Sequence, residues 1–207
     1  MFNNLVRKFI YTFDYRCPFA RNMTELIYYA NKFDDKFKVD PIPLCLDQFH
    51  VEPDEMNIWD LEDRDKYLVA LLSFNVVKEY FPDEMWKFHM EMFLSRHDLG
   101  INLRSEEQVL KVLKKVGFND TDALFVIEEA KSDKVVKSYA ESHIELVEKY
   151  EVFGVPTIVL ADSAVFVRLM ERTIKPSQKA VEKLEYIIGM VEGHPDINEI
   201  KHTIVPK

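Results

Sequence analysis

The chain opens with a short run, LVRKFIYTF at 5–13, in which β-branched and aromatic residues crowd together, and this predicts a buried strand. The period then changes. After DYRC the apolar positions fall at Phe19, Met23, Leu26, Ile27, Ala30 and Phe33, which is one face of a helix. FKVDPIPL at 37–44 reads as a second strand, and Pro41 and Pro43 push it to a sheet edge because each lacks a ladder donor. Strand, helix and strand in that order predict a right-handed βαβ unit.

From about Leu61 to Tyr150 the pattern is helical throughout. RDKYLVALLSFNVVKEYF stops at Pro82, and DEMWKFHMEMFLSRH stops near Gly100. SEEQVLKVLKKV opens on a Ser105 cap and closes at Gly117; DTDALFVIEEA and VVKSYAESHIELVEKY follow. Strand character returns in TIVLADSAVFVR (157–168), two β runs joined at Asp162-Ser163 as a hairpin. A last helix is expected over about 177–191, with Ala180, Val181, Leu184, Ile187, Ile188 and Val191 on one face and Gly193 and Pro195 beyond it. The expected fold class is therefore α/β: βαβ, a helical stretch, then ββα. The expected domains are a sheet-bearing one made of 1–60 and 151–207 and an all-helical insertion at 61–150.

Composition narrows the function classes. Charged residues make up 30% of the 207 and the formal net charge is −9, which disfavours nucleic acid or an anionic membrane as partner. No apolar run reaches the ~20 residues of a membrane span, and the first residues lack the apolar core of a signal peptide. With 2 Cys, a disulfide framework is not expected, and the reducing cytoplasm is the expected compartment. The 5 glycines form no dinucleotide or phosphate-binding pattern, and no Gly-x-Ser-x-Gly or His-Glu-x-x-His occurs.

The chemistry concentrates in DYRCPFARN. With Cys17 as N-cap and Pro18 as first helical residue, the N–H groups of Phe19 and Ala20 point back at the sulfur. The positive end of the helix then favours thiolate over thiol; Arg16 and Arg21 would add to this, and Asp14 would oppose it. The alternative is a small buried side chain with no chemistry. FGVPT at 153–157 brings the chain back into the sheet through a rigid turn. If Val155–Pro156 is cis, it is expected at the sheet edge facing Cys17, where the Val155 backbone could pair with a peptide or a thiol; an ordinary trans proline is the plain alternative.

These residues together resemble the thioredoxin superfamily, specifically DsbA-like thiol oxidoreductases, over nearly the whole chain. The hairpin TIVLADSAVFVRLMER and the ending INEIKHTIVPK look like cytoplasmic bacterial members related to the mycothiol-dependent nitroreductases. The resemblance implies that Cys17 is the attacking cysteine and Pro156 the cis-proline. Pro18, Phe19, Ala20 and Val155 would contact substrate or thiol. Ala20 departs from that family's pattern: it stands where the resolving cysteine belongs, so a second molecule must resolve any mixed disulfide. A low-molecular-weight thiol, mycothiol- or glutathione-like, is the implied co-substrate, with a disulfide or other electrophile as substrate and no metal.

Kappa-class glutathione transferases and chromene-carboxylate isomerases are also similar; they place serine at this helix start and bind glutathione. Two further readings thus stand beside the first: a thiol-binding transferase or isomerase, and a non-catalytic binding module. Cys45 reads as a packed strand-end residue more readily than as a remote resolving thiol. His89 and His97 lie two turns apart and could line a pocket or bind metal, though solvated or core-satisfied roles are the plainer reading. MWKFHMEMF reads as helix core that could also border an apolar substrate pocket. The helical insertion could support a homodimer.

Overall fold

The computed structural model describes residues 6–197 and 199–202. Four strands, β1 (Arg7–Phe13), β2 (Phe37–Pro43), β3 (Thr157–Leu160) and β4 (Ser163–Phe166), form one sheet in the order β2-β1-β3-β4. β1 runs parallel to β2, antiparallel pairs join β1 to β3 and β3 to β4, and β2 with its two prolines is an edge strand. Leu5, the expected start of β1, lies outside the described residues, as do Asn198 and residues 203–207 of the closing stretch.

Between β1 and β2 runs α1 (Pro18–Phe33); five helices then separate β2 from β3. They are α2 (Asp65–Tyr80), α3 (Met85–His97), α4 (Glu106–Lys115), α5 (Asp120–Ala130) and α6 (Asp133–Tyr150). The last helix, α7 (Gln178–Gly193), packs on α1 and on β3. The fold is thus a thioredoxin-like α/β unit with a helical insertion. Among the described residues no helix is long and apolar enough to cross a membrane.

The elements form for local reasons. Ser132, Asn119 and Ser177 cap α6, α5 and α7 by accepting the N–H groups of Val135, Asp122 and Ala180. Ser105 holds the N-cap position of α4, yet its hydroxyl makes no capping bond; Glu106 and Glu107 in the first turn complement the helix dipole instead. α6 ends on Glu151, whose φ of 52° is left-handed and returns its N–H to Leu146. Two expectations shift. Phe33 is 51% exposed and is the last residue of α1, so the apolar face ends at Ala30. The hairpin turns at Ala161-Asp162, so Ser163 already pairs with Leu160 in β4.

The core gathers on the face of β1 that carries Tyr11 and Phe13. Their rings meet Phe74 of α2 and His89 and Phe93 of α3, with Phe13 4.8 Å from Phe74. This aromatic layer joins the insertion to the strand that delivers Cys17.

Candidate active site

The link from β1 to α1 is organised by a buried carboxylate. Asp14 accepts the N–H of Arg16 at 2.8 Å, the N–H of Leu46 at 2.9 Å and the Arg16 guanidinium at 2.6 Å. Its carbonyl receives the Cys17 N–H at 2.9 Å. These bonds end the strand and set Cys17 as N-cap of α1 with Pro18 in the first turn, where a missing N–H costs nothing.

The sulfur has two partners. The Ala20 N–H donates to Cys17 Sγ at 3.4 Å, and the thiol donates to the Val155 carbonyl at 3.3 Å. The Val155–Pro156 peptide is cis. The residues after it are pinned: Thr157 N–H reaches Thr12 Oγ1 at 2.9 Å, Thr157 Oγ1 donates to the Gly154 carbonyl at 2.8 Å, and the Pro156 carbonyl accepts Val167 N–H at 3.0 Å. Cys17, Ala20, Val155 and Pro156 therefore meet in one place. Pro18 sits on the exposed rim, and half-buried Phe19 lies under the Arg168 guanidinium, 5.6 Å from its ring. The same guanidinium stands 5.8 Å from the Phe166 ring, and exposed Phe153 packs against Phe166.

The thiolate expected from the helix start is corrected by burial. Cys17 is only 6% exposed, and loss of water pushes its thiol above the ordinary value. The Ala20 and Phe19 N–H groups pull the other way and Asp14 adds to the rise, so the resting group is a thiol. Neither arginine offsets this. Arg16 is committed to Asp14 and Asp47, and Arg21 to Glu25 and Asp98. Cys45 is fully buried and burial holds it up at about 11, which makes it a poor nucleophile; Arg16 Nη2 lies 3.7 Å from its sulfur. Both cysteines are free.

The two histidines of α3 converge on one residue of the site turn. Tyr15 OH lies 3.0 Å from His89 Nδ1, and His97 Nε2 lies 2.9 Å from the Tyr15 carbonyl. His89 Nε2 also contacts Tyr11 OH, which is 2.6 Å from Thr24 Oγ1; Thr24 in turn donates to the Ala20 carbonyl at 2.8 Å. Sequence reasoning singled out both histidines without this role, and it missed Tyr11, Tyr15, Thr24 and Arg168. The spacing of His89 and His97 on one helical face was the available signal. Of MWKFHMEMF, Phe88, Met92 and Phe93 are core, while Trp86 borders a cavity of about 660 Å³ with Phe9, Phe37 and Val39. Neither Cys17, Val155 nor Pro156 lines it. Among the described residues, no group of His, Cys, Asp or Glu is arranged to hold a metal.

The model of the DSBA-like thioredoxin domain matches residues 10–175. Comparison with curated protein sequences finds no match. Among solved structures, the chain is similar to 2-hydroxychromene-2-carboxylate isomerase at 17% identity and TM-score 0.59, over 88% of this chain and 94% of that one. It is similar to Pseudomonas aeruginosa DsbA at 15% identity and TM-score 0.56, over 90% and 83%. For reduced DsbA1 from Neisseria meningitidis the values are 14%, 0.54, 91% and 86%. At these identities the likeness is one of fold.

Proposed function

The chain belongs to the DSBA-like thioredoxin domain family, and we propose that within it the protein is a thiol oxidoreductase that works through Cys17 alone, with a low-molecular-weight thiol as second reactant. The observation that carries this reading is the sulfur of Cys17 at a helix start, bonded to the carbonyl beside a cis-proline, with Ala20 in the fourth position.

The cycle balances without a second cysteine. Docking of a disulfide RS–SR′ beside Val155 displaces the carbonyl from the thiol, and the S–H proton leaves with solvent or with the departing thiolate. Cys17 attacks one sulfur, the S–S bond breaks, R′S⁻ leaves and Cys17 carries R as a mixed disulfide. A second thiol R″S⁻ attacks that mixed disulfide, regenerates Cys17 and carries R away as R–S–S–R″. The electrons come from R″SH. A mycothiol- or glutathione-like thiol suits the second step, since Cys17 is almost fully buried and a small molecule reaches such a sulfur more readily than a protein does. A relation to mycothiol-dependent nitroreductases, a cytoplasmic location and a homodimer through the helical insertion belong to this same proposal.

A second reading draws support from the raised thiol of Cys17. A protonated N-cap thiol can donate to a cofactor's thiolate without forming a bond, as a transferase or isomerase would require. Incubation with oxidised glutathione, followed by intact-mass measurement, separates the two. An adduct on Cys17, absent in Cys17→Ser, supports the covalent cycle; binding of reduced glutathione with no adduct overturns it in favour of the second reading.

A further inference from the structure

Five buried polar groups run from the helical insertion to the first turn of α1. They are Tyr15 OH, the His89 imidazole, Tyr11 OH, Thr24 Oγ1 and the Ala20 carbonyl, and each of these residues is no more than 1% exposed. Each hydroxyl has one proton to give, a neutral imidazole has one N–H and one acceptor nitrogen, and a carbonyl can only accept. That inventory fixes every proton, starting from the carbonyl.

Thr24 lies 2.8 Å from the Ala20 carbonyl, so its proton goes there. The 2.6 Å contact between Tyr11 OH and Thr24 Oγ1 then requires the Tyr11 proton, since two lone pairs at that distance would repel. Tyr11 has no proton left for His89, so His89 Nε2 carries the hydrogen and donates to Tyr11. Nδ1 is left as the acceptor, and the Tyr15 hydroxyl supplies it at 3.0 Å. Any other placement leaves one contact with no proton or one with two. Phe13, Phe74, Phe93 and Trp86 surround the ring, and burial holds the imidazole neutral; Lys78, the charged group that acts on it, works in the same direction.

We propose that His89 is a positioning residue for Cys17, present as the Nε2–H tautomer in a proton-ordered chain that runs from Tyr15 to the Ala20 carbonyl. The chain holds the Cys17 turn at both ends. One end is Tyr15, two residues before the cysteine, whose carbonyl His97 also grips. The other is the peptide that joins Ala20 to Arg21, whose N–H donates to the Cys17 carbonyl at 3.2 Å. Extra donation to the Ala20 carbonyl polarises that peptide and strengthens its hold on Cys17. The positioning half of this inference rests on the reading of Cys17 as a reacting thiol; the proton order does not.

The test is the tautomer of His89, read by long-range 1H–15N correlation in protein with 15N-labelled histidine. The expected result is an Nε2–H pattern that stays unchanged from pH 5.5 to 8; an Nδ1–H pattern, or titration in that window, overturns the proposal. Thr24→Val removes the acceptor that orients Tyr11. Tyr11 can then donate to Nε2, and His89 is expected to switch to Nδ1–H, whereas Thr24→Ser keeps the wild-type tautomer. A tautomer indifferent to Thr24→Val sinks the proton order. The rate of Cys17 alkylation by iodoacetamide is expected to change at least threefold in Thr24→Val and to return in Thr24→Ser; an unchanged rate overturns the positioning role. If His89 shows the expected tautomers while oxidised glutathione leaves Cys17 unmodified, the chain stands and the monothiol reading falls.

Discussion

The thiol of Cys17 donates its proton to the carbonyl of Val155, which lies 138 positions later in the chain and 3.3 Å away. A hydrogen bond from the neutral form and a buried setting both oppose ionisation, and they outweigh the two amide groups of the helix start. The first expectation is therefore a Cys17 whose alkylation by iodoacetamide has its pH midpoint above that of the same protein unfolded in urea. The thiol stays protonated longer in the folded state, so this group costs stability only as pH rises past its unfolded value. A folded midpoint below the unfolded one would show that the amides prevail.

Ala20→Cys places a thiol in the first turn of α1, at a fully buried position beside Cys17. On oxidation, an internal disulfide is expected to form, and the glutathione adduct on Cys17 should no longer accumulate. Free-thiol titration and intact mass check both; a persistent adduct with unchanged thiol count would contradict the assignment of Ala20 to the resolving position.

Glu25 is a buried carboxylate clamped by Arg172, with contacts of 2.6, 3.0 and 3.1 Å, and by Arg21 at 3.3 Å. Glu25→Gln removes the buried charge that both guanidinium groups share and leaves them only the partly exposed Asp98, with an expected loss of about 3 kcal/mol in urea unfolding. Arg172→Ala leaves the Arg21 pair in place, and Arg172 is partly exposed, so about 1 kcal/mol is expected. Equal losses in the two variants would refute the clamp.

His143 is 4% exposed among Trp59, Phe49 and Tyr139, and burial pulls its imidazole down to about 4. Between that value and the ordinary 6.5 the unfolded chain holds a proton the folded one lacks, so stability falls as pH drops through this window. The expected loss is about 3 kcal/mol by pH 4, from 1.36 kcal/mol per unit. His143→Phe should flatten that part of the pH-stability curve measured by urea unfolding; an unchanged slope would place the acid lability elsewhere, with His89 next in line.

Glu151 closes α6 at φ 52°, where a side chain crowds the backbone. Glu151→Gly relieves that crowding and is expected to raise stability by roughly 0.5–1 kcal/mol. A loss in thermal unfolding would mean that the Glu151 side chain does more than end the helix.

Much of this architecture was legible because each element is locally consistent. The β-branched and aromatic run of β1, the prolines of β2 and the apolar periodicity of α1 and α7 announce themselves within a few positions, whereas the caps of α5 to α7 went unread and the one cap expected, Ser105, makes no capping bond. Cys17, Ala20, Val155 and Pro156 could be grouped because a strand, a helix start and a Gly-Val-Pro turn imply one sheet edge. What sequence could not give was the balance of opposing terms at the sulfur. The helix dipole is visible in a motif, whereas the burial that overrides it is supplied by residues spread over the chain. The part played by His89 was hidden for the same reason: its partners lie 74 and 78 positions away.

β1 sits in the interior of the sheet, and its two neighbours come from opposite ends of the chain, β2 from 37–43 and β3 from 157–160. During synthesis β1 can pair with β2 early, but its other edge stays open until β3 has emerged, after the whole helical insertion. Until then Cys17 has no Val155 carbonyl to hold its proton. Val155 lies two residues ahead of β3, so the pairing of β3 with β1 is what brings that carbonyl to the sulfur, and Cys17 alkylation becomes a clock for the closing of the sheet.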